Sequence, residues 1–278
     1  MRRPRPRPSA TTRRAMGSRE RGLIAAAALA FAASSQAHEP QECDAAPLAA
    51  VDAWLAQHPW HAGPTRPDTR VTAACKPSPT DKALTIVAAA YDRGTDYDKN
   101  LVVALVSTRV VAAFTGAIEE DASMLVRGGS LRIDTARYHL APGVRAFGVD
   151  VSSGKAGPHC ADGGSGATRS LFVRDGAALR PVVIGVLLQS WHAEGGMAPC
   201  PDFAPDTKGL GEIAETTTSL SMLPHATHGF ADIALTSVTD LHPGHSKRVV
   251  LRYDGSTYSG PGFGPWGPGI VPDSGHTH

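Results

Sequence analysis

From residue 83 onward the chain is a series of strand-length apolar runs separated by turn signals, a rhythm that belongs to an all-β fold. ALTIVAAAY (83–91), LVVALVS (101–107), VVAAFTGAI (110–118), SLRIDTARY (130–138) and VRAFGVDV (144–151) come first. RSLFVR (169–174), ALRPVVIGVLLQSW (178–191), TTTSLSML (216–223), FADIALTSV (230–238) and KRVVLRYDG (247–255) follow. Between them stand RGG, APG, RDG and YDG, residue types that supply positive φ and tight reversals. Asp175-Gly176 between two apolar runs predicts a tight hairpin, and Pro181 predicts that its second strand is bulged or at an edge. About ten short strands at near-regular spacing predict a sandwich, a barrel or a small propeller-like meander. No long amphipathic helices alternate with the strands, which argues against a doubly wound α/β fold.

One helix is expected, in CDAAPLAAVDAWLAQHPW (43–60). Asp44 is placed to cap it, Pro47 suits its first turn, and Leu48, Val51 and Leu55 fall on one face. At the other end, 259–278 is so rich in glycine and proline that a flexible tail is expected. No Pro/Ser linker divides the middle, so residues 38–258 are read as one domain.

The first 37 residues read as a secretory signal peptide. Eight arginines precede the short apolar run LIAAAALAFAA, and Ser35 and Ala37 occupy the −3 and −1 positions of a cleavage site. The apolar run is too short to span a bilayer. Removing this segment, with its eight arginines and its one acid (Glu20), turns the formal charge of +1 into −6. A mildly acidic mature chain without a basic cluster does not suit a nucleic-acid partner. Export leads to an oxidising compartment, where Cys43, Cys75, Cys160 and Cys200 are expected to form two disulfides. Their pairing has three possibilities on sequence alone. Wide spacing and the lack of C-x-x-C argue against a cysteine metal site.

Motifs that carry chemistry fail one by one. Gly154-Lys155 lacks both the first glycine and the hydroxyl of a phosphate-binding loop, since Val149 and Ala156 stand there. GGSGA around Ser165 breaks the G-x-S-x-G pattern and leads into a strand instead of a helix. Asp96-Tyr97-Asp98-Lys99-Asn100 begins like a calcium loop, but Leu101 stands where glycine is needed. Glu119-Glu120-Asp121 reads as a charged turn. Three histidine pairs, His58/His61, His225/His228 and His242/His245, have three-residue spacing, and the chain ends His276-Thr-His278. Imidazole binds zinc and copper, so a zinc or copper site at His225, His228, His242 and His245 is the alternative function. No cofactor and no catalytic residues are expected, and the chain is read as a non-enzyme. A hydrolase with an unrecognised site is the third possibility.

SLRIDTARYHLAPGVRAFGVDVSS with RSLFVRDGAALRPVV, and GFADIALTS with RVVLRYDGSTY, resemble strands and hairpins of secreted proteobacterial β-proteins. That group includes the periplasmic inhibitors of invertebrate-type lysozyme. The resemblance implies a periplasmic or secreted protein that inserts a serine-glycine loop into the cleft of a lysozyme-like cell-wall hydrolase. Ser165, Gly166 and Arg169 form one such outline, and Ser259, Gly260 and Phe263 form another. In this reading the glycines of 154–170 allow close backbone approach, and Arg169 pairs with an acidic catalytic residue.

Overall fold

The computed structural model describes residues 41–58, 69–93, 98–121, 124–154, 161–196, 210–263 and 270–272. The expected signal peptide, Cys160 and Cys200 with the second disulfide, His61 and the terminal histidines lie outside them. Among the described residues one helix, α1 (Ala45–Leu55), accompanies fifteen strands, several of two or three residues. The expected all-β fold with one short N-terminal helix is therefore what the described residues adopt. No helix among the described residues is long and apolar enough to cross a membrane.

Two sheets form. The first holds β1 (Arg70–Pro77), β2 (Thr85–Asp92), β3 (Asp98–Val106), β4 (Val110–Glu119), β9 (Ala178–Leu187), β8 (Thr168–Asp175), β6 (Val144–Val151) and β5 (Leu131–Ala141), in that spatial order. A ninth strand, β15 (Ile270–Pro272), pairs with β4. The expectation of an irregular tail is thus corrected at this point. Ile270 is buried in the core of the first sheet, and that burial holds the short strand despite the glycines and prolines around it. The second sheet runs β14 (Tyr258–Ser259), β13 (Ser246–Tyr253), β12 (Phe230–Thr239), β11 (Glu212–Thr227), β10 (Gln189–Glu194), β7 (Gly163–Ser165). ALRPVVIGVLLQSW, which reads as one strand, is two: the chain leaves the first sheet at Leu187 and enters the second at Gln189. Pro181 sits opposite Phe172, where the β8–β9 register shifts, so the predicted bulge is present.

The first sheet curls on itself. Its inner face buries Ile86, Leu101, Val103, Phe114, Ile133 and Phe172, among others, in one cluster. Gln41 joins its two edges: the Gln41 carbonyl accepts from the Cys75 amide of β1 at 3.0 Å. The Gln41 side-chain amide donates to the Ile133 carbonyl of β5 at 2.8 Å, and its side-chain oxygen accepts from the Ile133 amide at 2.7 Å. A glutamine side chain thus serves two edge backbone groups that would otherwise be unpaired.

The near-continuous apolar runs of β2 and β3 arise because both of their faces are covered. Ile86, Ala88 and Ala90 point into the curl, while Val87, Ala89, Tyr91, Val102 and Ala104 meet Val51 and Leu55 of α1. The helix is held by Cys43–Cys75 and by Asp52, which takes hydrogen bonds from Arg70 at 3.0 Å and the Tyr91 hydroxyl at 2.9 Å. Asp44 occupies the N-cap position but makes no side-chain cap bond, so it does not hold the helix start as expected. Glu120 is likewise no solvated turn residue: it is buried and ion-paired with Lys99 at 2.9 Å.

Leu140, Leu171, Val182 and Val186 on the other face of the first sheet pack against Ile233, Leu235, Leu251 and Tyr253 of the second. This inter-sheet layer positions the site described next.

Candidate functional site

Strand alternation sends every second residue of the second sheet toward the first. On that inner face, register aligns Leu220 with Leu235 and Val249, then Thr218 with Ser237 and Lys247, then Ser190 with Thr216 and Thr239. The face therefore changes along its length from aliphatic to hydroxylated. Where it changes, the two sheets leave a cleft of about 290 Å³. Val186, Leu235, Val249 and Phe263 give it an apolar floor, and Ser190, Thr216, Thr218, Ser237 and Lys247 give it a polar wall.

The hydroxyls are arranged in pairs. Thr216 and Thr239 hydroxyls lie 2.8 Å apart, and Thr218 and Ser237 hydroxyls 2.9 Å apart. Each pair holds two O–H groups and spends one on the partner, so one donor per pair remains. Further along the same face Glu194 accepts from His192 at 2.9 Å and from His242 at 2.8 Å. The His242 bond, followed by that of His192, holds its carboxyl below the usual carboxylate range.

The loop residues singled out in the sequence are placed differently from expectation. Gly163–Ser165 is not a free tip but strand β7, paired with β10 at the edge of the second sheet. Its glycines serve close packing: a Cβ on Gly164 would lie 2.5 Å from the Trp191 indole nitrogen. Ser165 is exposed on this edge, and the Gly166 amide donates to the Gln189 carbonyl at 2.7 Å. Ser259 is exposed in β14, next to Gly260, while Phe263 packs on the inter-sheet core and lines the cleft. Of the six residues read as partner-binding, only Phe263 belongs to the cleft.

Arg169 is the clearest correction. Expected to be a free cation, it lies in β8 with a side chain only 16% exposed. Its guanidinium is bidentate on Asp150, at 2.6 and 2.7 Å, donates to the Tyr138 hydroxyl at 2.7 Å and is ion-paired with Asp134. The Tyr138 hydroxyl in turn donates to Asp134 at 2.6 Å. Gly148 makes room, since a Cβ there would meet the Arg169 side chain at 3.1 Å. Burial alone would raise the Asp134 pKa; the Tyr138 hydroxyl and the Arg169 charge outweigh it and hold the carboxyl below its ordinary range. Burial, then the Asp134 acceptor, pushes the Tyr138 phenol up. With three hydrogen bonds made inside the fold and two carboxylates against it, this guanidinium is an internal, neutralised group and not a free cation for a partner's carboxylate.

The four histidines of the alternative do not converge. His225 lies near the end of β11 and His228 in the β11–β12 turn, whereas His242 and His245 lie in the β12–β13 connection, at the other end of β12. Ten residues of strand put these ends about 30 Å apart. His225 faces Asp232 at 2.8 Å, His228 the Tyr253 carbonyl at 2.8 Å, and His242 Glu194. Among the described residues no group of three or more metal-ligating side chains forms. The four-histidine centre is ruled out by distance.

Sequence reasoning missed the cleft because its lining comes from five strands and a loop. One signal was present: TTTSLSM alternates hydroxyls with a second set that runs Thr216, Thr218, Leu220, Met222, so one face of β11 changes chemistry midway. Comparison with protein-family models, curated proteins and solved structures finds no match to this chain.

Proposed function

We propose that this chain is an exported, non-catalytic binding protein whose ligand site is the cleft at the open end of the inter-sheet layer. The observation that carries the reading is the mixed lining of that cleft. An apolar floor with a few convergent polar groups is what small-molecule sites present. Leu235 and Val249 supply the floor beside Thr218, Ser237 and Lys247. The hydroxyls bond to one another instead of to an adjacent base, an arrangement suited to holding a ligand and not to attacking one. The Cys43–Cys75 bond supports a periplasmic or extracellular address.

The test is fluorescence of the neutral probe N-phenyl-1-naphthylamine. Enhancement with the wild-type protein and its loss in Leu235→Trp, with far-UV circular dichroism unchanged, is expected. Equal enhancement by a folded Leu235→Trp protein would exclude the cleft.

A second reading, inhibition of a lysozyme-like cell-wall hydrolase, is supported by the exposed edge strand Gly163–Ser165. It requires that a molar excess of the protein slow peptidoglycan clearing by a muramidase, and that Ser165→Arg relieve the inhibition. Clearing at an unchanged rate removes it.

A further inference from the structure

We infer that the cleft takes an acidic amphiphile, with its anionic head at Lys247 and its apolar body on Val186, Leu235, Val249 and Phe263; this deepens the binding reading and rests on it. Four observations converge. The first is sign. Lys247 is the one ionisable side chain lining the cleft among the described residues, and no described carboxylate pairs with it. Glu194, further along the same face, is already held by His192 and His242.

The second is direction. Lys247 stands opposite Ser237 in register, and Ser237 is hydrogen-bonded to Thr218. The ammonium and the spare hydroxyl donors therefore lie on the same face and at the same end of the cleft. Hydroxyls serve neutral and charged heads alike, so the ammonium is what selects an anion.

The third is separation of polar from apolar. Val249 is two residues beyond Lys247 on the same face of β13, and Leu235 is its register partner. A ligand extending from Lys247 toward the core passes directly from the polar wall onto aliphatic surface. The fourth is the opposite wall. Arg169 is the register partner of Val186, so a second cation stands on the facing sheet, but Asp150 and Asp134 neutralise it. Lys247 is left as the cation that a ligand can use. A cleft of about 290 Å³ is at the small end of ligand sites and limits the body to a medium chain or one or two rings.

Isothermal titration of the oxidised protein with octanoate, octanol and octylammonium separates head-group charge from chain length. Octanoate should bind tightest, octanol about two- to fivefold more weakly, as an ion pair to an exposed lysine allows, and octylammonium weakest. Lys247→Gln should bring octanoate down to the octanol affinity without changing octanol itself. Equal affinity for octanoate and octanol, or a preference that survives Lys247→Gln, overturns the acidic class while leaving the cleft as a binding site. No binding of any of the three fails the binding reading itself, and this inference with it.

Discussion

Replacing Arg169 with methionine tests whether that side chain is internal structure or a free binding group. Methionine keeps much of the aliphatic length but none of the charge. In its absence the Asp150 carboxylate, 8% exposed, loses both of its guanidinium bonds. Asp134, 22% exposed, keeps the Tyr138 hydroxyl and its own contact with water. Breaking a buried pair by removing one partner costs about 3–5 kcal/mol. The partial solvation of Asp134 discounts this toward the lower end, so about 3 kcal/mol is expected from urea unfolding at pH 7. The double variant Arg169→Met/Asp150→Leu removes the stranded charge and should recover more than half of the loss.

The pH dependence has a definite sign. Because the Asp134 carboxyl is held below its ordinary range, its contribution is complete above the unfolded value of about 4 and is lost as pH falls through the lower folded value. Wild-type stability should therefore decline below about pH 4, and less steeply in Arg169→Met. A cost below about 1 kcal/mol for Arg169→Met, with unchanged acid sensitivity, would refute the internal assignment of this arginine.

Other consequences concern the seam and the staple. Gln41→Ala should cost about 2 kcal/mol, because it leaves the buried Ile133 amide and carbonyl without partners. Hydrogen exchange should accelerate at Ile133 and Cys75 before it does at β8. Cys43→Ser/Cys75→Ser opens a loop of sequence separation 32 and should cost about 3–4 kcal/mol in thermal or urea unfolding. The loss should be sensed first by Trp54 fluorescence, since α1 packs on the sheet beside that bond.

The parts of the fold legible in the sequence are those written in local pattern. Apolar runs bounded by Gly and Asp located most strands, Pro181 marked its bulge, and the Val51/Leu55 spacing marked the buried helix face. What was not legible depends on partners distant in sequence. Arg169 in RSLFVR looks like a strand-edge cation until Asp150 and Asp134, from two other strands, close on it. Glu120 looks like a turn acid until Lys99 reaches it. Glycines at 163–166 suggest slack chain, whereas a Trp191 indole lying against Gly164 makes them a packing requirement. The cleft joins Val186 to Val249, residues far apart in the chain, and no window of sequence contains both.

The most direct measurement is a methyl-resolved NMR titration of the oxidised protein with octanoate. A ligand cleft between the sheets predicts saturable shifts at Val186, Leu235 and Val249, while Leu55 of α1 and Val87 and Val102 beneath it stay in place. Shifts spread over both groups, or none at the cleft methyls at millimolar ligand, would contradict it.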